Sequence, residues 1–97
     1  MGKLVRDRIP EIIRQAGGSP EVTVLAPEDL FTALMDKLLE EAQELRGADA
    51  SSRVEEMADV MEVTQALLAY FDREQVAQVQ SQKYLERGGF EKGYLLA

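Results

Sequence analysis

Apolar positions along this chain recur at helical spacing, and the residues between the runs are helix punctuation. Ile9-Pro10-Glu11-Ile12-Ile13-Arg14-Gln15-Ala16 has Pro in its first turn and Gly17-Gly18 behind it, which predicts a short helix near 9–16. In residues 18–26 the alternating Val22 and Val24 have strand character. Five residues with no pairing partner are nevertheless predicted to stay irregular. Pro27-Glu28-Asp29 then opens a long helix, with two acids where the helix dipole favours them, and Gly47 is its predicted stop. Ser52 and Glu55 have capping-box spacing, and the helix after them is predicted to run from Arg53 to about Phe71. Asp72, with Gln75 three residues on, caps a further helix from 73 to about 87 that Gly88-Gly89 closes. The remaining segment, Phe90 to Ala97, is apolar enough that packing is expected. The pattern is that of a single all-α domain spanning 1–97, with three main helices and a short N-terminal one.

Projected at about 100° per residue with Leu34 at zero, Leu30, Leu38, Leu45 and Phe31 of the first long helix form an apolar stripe within about 60°. Glu41 falls at about −20°, inside that stripe, Glu44 at about −80° on its shoulder, and Glu40 near −120°. A carboxylate buried without a partner costs several kcal/mol on an order-of-magnitude argument, so its position needs a cause. One cause is a buried ion pair with Arg or Lys, or a face that is in fact solvated. The next helix repeats the anomaly. It has two apolar sides, Val54, Met57, Met61 and Leu68 on one and Val60, Val63 and Leu67 on the other. Glu56 falls beside Leu67, and Asp59 borders it one turn along. Each helix thus directs an acidic i, i+3 pair inward, and the short join between Gly47 and Ser52 makes the helices antiparallel neighbours. Four carboxylates then converge, a cluster that one or two hard divalent cations would neutralise.

On the last helix, Lys83 and Arg87 extend the stripe of Val76 and Val79. They read either as side chains that snorkel and cap the final carbonyls or as phosphate contacts. Lys3, Arg6 and Arg8 are weaker candidates for phosphate contact, since a basic segment can simply be solvated.

Composition narrows the chemistry. The chain has no Cys and no His, which excludes disulfides, thiol catalysis, structural zinc sites, Ser-His-Asp triads and imidazole bases. A di-iron bundle is excluded with them, because its Glu-x-x-His motif needs His. Eleven bases against eighteen acids leave a net charge of −7, without the broad basic surface that binds nucleic acid. Carboxylates, Lys, Arg and hydroxyls remain, with oxygen-loving cations such as magnesium, manganese or calcium. No apolar run approaches the roughly 18 residues of a membrane span, and Gly2-Lys3-Leu4-Val5-Arg6-Asp7-Arg8 is unlike a signal peptide. A cytoplasmic location without membrane association is expected. Apolar residues on more than one helix face predict a homo-oligomer, dimer or tetramer.

Glu40-Glu41-Ala42-Gln43-Glu44 followed by Glu56-Met57-Ala58-Asp59 resembles the E-E-x-x-E … E-x-x-D signature of the all-α nucleotide pyrophosphohydrolases, the MazG-like superfamily. Lys37-Leu38-Leu39 and Val60-Met61-Glu62-Val63 match the surroundings. Lys3 to Ile13 and Lys83 … Glu86-Arg87-Gly88-Gly89-Phe90 look like the flanks of the phosphoribosyl-ATP pyrophosphohydrolase-like branch. The eleven residues between Glu44 and Glu56 are at the short end for the superfamily and leave little room for a substrate-recognition loop. The resemblance implies a helical bundle completed by a second chain. It also implies Mg²⁺, with Mn²⁺ as the alternative ion, held by Glu41, Glu44, Glu56 and Asp59. Glu40 is implied to hold a water on the metal or to act as base, and the phosphate contacts read above for Lys83, Arg87, Lys3 and Arg6 fit that chemistry. The implied reaction cleaves an α–β phosphoanhydride to a monophosphate and pyrophosphate. The rival reading is a non-catalytic helical oligomerisation or interaction module.

Overall fold

The computed structural model of the chain describes residues 2–97, all helix and irregular chain with no strand among them. Four helices follow in order: α1, Ile9–Gln15; α2, Pro27–Gly47; α3, Arg53–Leu68; and α4, Arg73–Arg87. Each opens or closes for a local reason. Pro10 stands in the first turn of α1, and Gly17, at φ 93°, turns the chain out of it while the Gly18 N–H donates to the Ile13 carbonyl at 2.9 Å. Pro27, Glu28 and Asp29 occupy the first turn of α2. At the head of α4 the Asp72 carboxylate accepts from the backbone N–H of Glu74 at 3.0 Å and of Gln75 at 3.2 Å, the expected N-cap. Gly88, at φ 77° and ψ −173°, ends α4 in backbone that residues with a Cβ avoid.

The second helix ends at Gly47 as expected, and Ala48 closes it by turning extended, at φ −72° and ψ 143°, rather than through a left-handed residue. One helix end differs from expectation. The third helix stops at Leu68 rather than near Phe71, because the Phe71 N–H donates to the Leu68 carbonyl in a turn. Residues 18–26 are irregular, as the missing pairing partner predicts.

The chain divides into two compact units, residues 1–67 and Leu68–Ala97. The core lies in the first. Leu34 of α2 and Val63 and Leu67 of α3 are buried, and Leu4, Leu30, Phe31 and Leu38 pack against them. The predicted stripe of α2 and one of the two apolar sides of α3 therefore make this core. The other side of α3 is uncovered in the chain, with Val54 81% exposed and Met57 and Met61 about half exposed.

In the second unit, α4 has no buried residue. Phe71, Asp72, Gln75, Val76 and Val79 line a shallow depression on it. The expectation that the last segment packs is not met. Phe90, at 98% exposure, Tyr94, Leu95 and Leu96 are all exposed in a segment of turns and coil.

Candidate acidic metal site

The site belongs wholly to the first unit and follows from how α2 and α3 pair. Leu34 packs with Val63 and Leu67, while Glu41 meets Glu56 and Asp59, so rising numbers on α2 meet falling numbers on α3. The helices are antiparallel. Two turns beyond the core Leu34, the same face of α2 delivers Glu41, and one turn before Val63 the same face of α3 delivers Asp59 and then Glu56.

One carboxylate oxygen each from Glu41, Glu56 and Asp59 lies within 4.8 Å of the others. Glu41 is buried, at 6% exposure, and Glu56 and Asp59 are half-buried. The two oxygens of Glu41 differ in surroundings. Oε1 is 3.3 Å from the Lys37 Nζ, one turn back on α2, whereas Oε2 is buried with no hydrogen-bond partner. Glu56 Oε2 is likewise buried and unpartnered. The buried ion pair weighed from the sequence thus exists, but it satisfies only one of the four oxygens of Glu41 and Glu56.

Glu44 sits exposed beside the cluster. Its carboxyl is pushed above the usual carboxylate range, first by hydrogen bonding to Glu41 and by that carboxylate's charge, then by lost solvent and the charges of Glu56 and Glu40. Glu40 is on the other side of the balance. Its Oε1 is 3.3 Å from Lys3 Nζ and 3.6 Å from Lys37 Nζ, and hydrogen bonding to Lys3 with the charge of Lys37 holds it below the usual range. Arg6 donates to Asp59 Oδ1 at 2.7 Å, and its other terminal nitrogen is 3.8 Å from Glu62. Arg8 pairs with Glu11, away from the cluster.

Of the residues expected at the site, Glu41, Glu56 and Asp59 meet directly, with Glu44 and Glu40 flanking them and Lys3 and Arg6 at their rim. Lys83 and Arg87 lie on α4 in the second unit, exposed and without an ion-pair partner among the described residues. Lys37 is the participant that the sequence reading did not single out. It is only 19% exposed and bridges Glu40 and Glu41, and its signal was the i, i+4 spacing from Lys37 to Glu41. An all-oxygen donor set with two unpartnered buried oxygens suits a hard divalent cation rather than a soft one.

No family model matches the chain, and no solved structure matches it. A stretch of 49 residues is 51% identical to an uncharacterized protein of Mycolicibacterium smegmatis (strain ATCC 700084 / mc(2)155). The match covers 50% of this chain and 50% of that protein, so it spans about half the length of the curated relative.

Proposed function

We propose that the cluster is the divalent-cation site, for Mg²⁺ or Mn²⁺, of a nucleotide pyrophosphohydrolase. It would cleave the α–β phosphoanhydride of a nucleoside triphosphate or related nucleotide to a monophosphate and pyrophosphate. The observation that carries this is the pair of buried, unpartnered oxygens, Glu41 Oε2 and Glu56 Oε2, in a trio of carboxylates within 4.8 Å. Such oxygens are costly without a positive partner, and Lys37 and Arg6 reach other oxygens. The resemblance to the E-E-x-x-E … E-x-x-D signature supplies the reaction class.

Glu41, Glu56 and Asp59 hold the cation, with Glu44 as the fourth ligand. When bound, the cation activates water and neutralises phosphate charge. Glu40 orients water as a hydrogen-bond acceptor rather than serving as the base, because a carboxylate held below its usual range by two lysines takes up a proton poorly. Lys3 and Arg6, at the rim, contact the phosphates. Phosphate contacts of this kind stabilise the charge that passes to the leaving pyrophosphate.

A second chain belongs to the proposal. Only three apolar residues are buried among those described, while Val54, Met57 and Met61 present an uncovered stripe on α3. A homodimer, or a homotetramer built from it, covers that stripe and completes a helical bundle. A cytoplasmic setting is part of the same reading; no helix among the described residues is long and apolar enough to cross a membrane.

A panel of nucleoside triphosphates assayed for Mg²⁺-dependent pyrophosphate release tests the proposal. Release from at least one substrate, lost on neutralising any one of Glu41, Glu56 or Asp59, is the expected result. A helical scaffold would release nothing and would tolerate each substitution.

A further inference from the structure

The N-terminal segment is tied across the acidic site at three points. Leu4 packs against the core. On one side of it Lys3 reaches Glu40 of α2, and on the other Arg6 reaches Asp59 of α3 at 2.7 Å. Arg6 thus places a full positive charge on a carboxylate of the very cluster that stands ready for a divalent cation. It also has a second acceptor: its other terminal nitrogen is 3.8 Å from Glu62, one turn farther along α3 and not a member of the cluster.

We propose that Arg6 is a built-in counter-cation of the site: it shares Asp59 until a divalent cation binds, then transfers to Glu62, and so sets the cation affinity. The inference rests on the divalent-cation reading above. Three observations support it. The Arg6 side chain is 57% exposed, and an ion pair so exposed contributes little and is readily exchanged. Glu62 offers an acceptor that a side-chain rotation reaches, so the guanidinium need not leave the segment's anchor at Leu4. Lys37, the other cation at the cluster, is largely buried and bridges Glu40 and Glu41, so it is not the one positioned to move. The opposite possibility is that Arg6 orients Asp59 as a ligand from behind. In that case removing Arg6 weakens binding, as loss of outer-shell partners does.

Mn²⁺ binding to the full chain, measured by electron paramagnetic resonance, separates the two. Arg6→Gln is expected to bind Mn²⁺ about tenfold more tightly than the parent, the scale of removing one positive charge from beside the ion in a largely solvated setting. Glu62→Gln is expected to weaken binding in the parent but to have a smaller effect in the Arg6→Gln background, where nothing needs to transfer. Equal or weaker binding by Arg6→Gln, with Mn²⁺ still bound by the parent and lost in Asp59→Asn, overturns the counter-cation role and leaves the cation site standing. No Mn²⁺ binding by parent or variant overturns both.

Discussion

Replacing Glu41 by Gln removes one negative charge from a buried position and keeps the shape, so its effect on stability weighs the cluster's repulsion against the Lys37 ion pair. At 3.3 Å and an effective dielectric constant of about 20, the attraction to Lys37 is about 5 kcal/mol. Repulsion from Glu56 and Asp59, each within 4.8 Å, is about 3.5 kcal/mol apiece, with the Asp59 share reduced by its pairing to Arg6. These terms nearly cancel, and three others decide the sign. Lys37 keeps Glu40 at 3.6 Å when Glu41 is neutral. Glu44 loses the nearest of the carboxylates that oppose it, with Glu56 and Glu40 remaining. The new amide can accept from Lys37 and donate toward the unpartnered Glu56 Oε2. The expected outcome under chelator is a gain of about 1–2 kcal/mol, or roughly 5–10 °C in Tm for a unit of this size. With divalent metal the order reverses. The parent gains about 2.7 kcal/mol at a hundred times its dissociation constant, and the variant gains much less. Thermal melts of both proteins, with chelator and with Mg²⁺, read the inversion. A variant less stable than the parent under chelator would refute the reasoning and make Lys37–Glu41 a structural ion pair.

Other expectations follow from single groups. In the metal-free protein the raised Glu44 keeps its proton to higher pH in the folded chain than in the unfolded one. Its ionisation therefore penalises folding: the penalty is absent below the usual carboxylate range and complete above the raised folded value. Tm should rise as pH falls through that window, and Glu44→Gln should abolish the rise. The lowered Glu40 works the other way, and its stabilisation, present above the usual range, is lost as pH falls through the depressed folded value. Asp72→Ala should cost α4 about 1 kcal/mol by leaving the Glu74 and Gln75 N–H groups uncapped, read as faster amide exchange in its first turn. Sedimentation at micromolar concentration should show a dimer or larger; a monomer contradicts the proposed cover for Val54, Met57 and Met61.

The helices and the centre of the site were legible because both depend on spacing. Leu30, Phe31, Leu34 and Leu38 do line the core, and Glu41, placed by the wheel among them, is buried. The same projection set Glu44 on the shoulder, where it is exposed, and brought Glu56 and Asp59 to the side of Val63 and Leu67. Contacts between parts distant in sequence left no periodic trace. Arg6 and Asp59 are 53 residues apart, and nothing in the basic run Lys3 to Arg8 says which of its cations meets which acid. Lys37 was hidden for another reason: an i, i+4 Lys–Glu pair is ordinary on a solvated face, and only the burial of Glu41 gives it weight. The exposure of the tail from Phe90 to Leu96 is not legible in its sequence, because apolar composition signals a need for cover, not the presence of it.

The carboxylates of α2 and α3 are proposed to work with a divalent cation on a phosphoanhydride. Phosphorus NMR of a nucleoside triphosphate incubated with the protein and Mg²⁺ tests it most directly. The predicted spectra show monophosphate and pyrophosphate appearing in equal amounts, with chelator stopping the reaction and Asp59→Asn slowing it by at least about 10²-fold, the scale lost with a charge-stabilising group. Intact triphosphates throughout, products that are diphosphate and orthophosphate, or an Asp59→Asn variant as fast as the parent would contradict it.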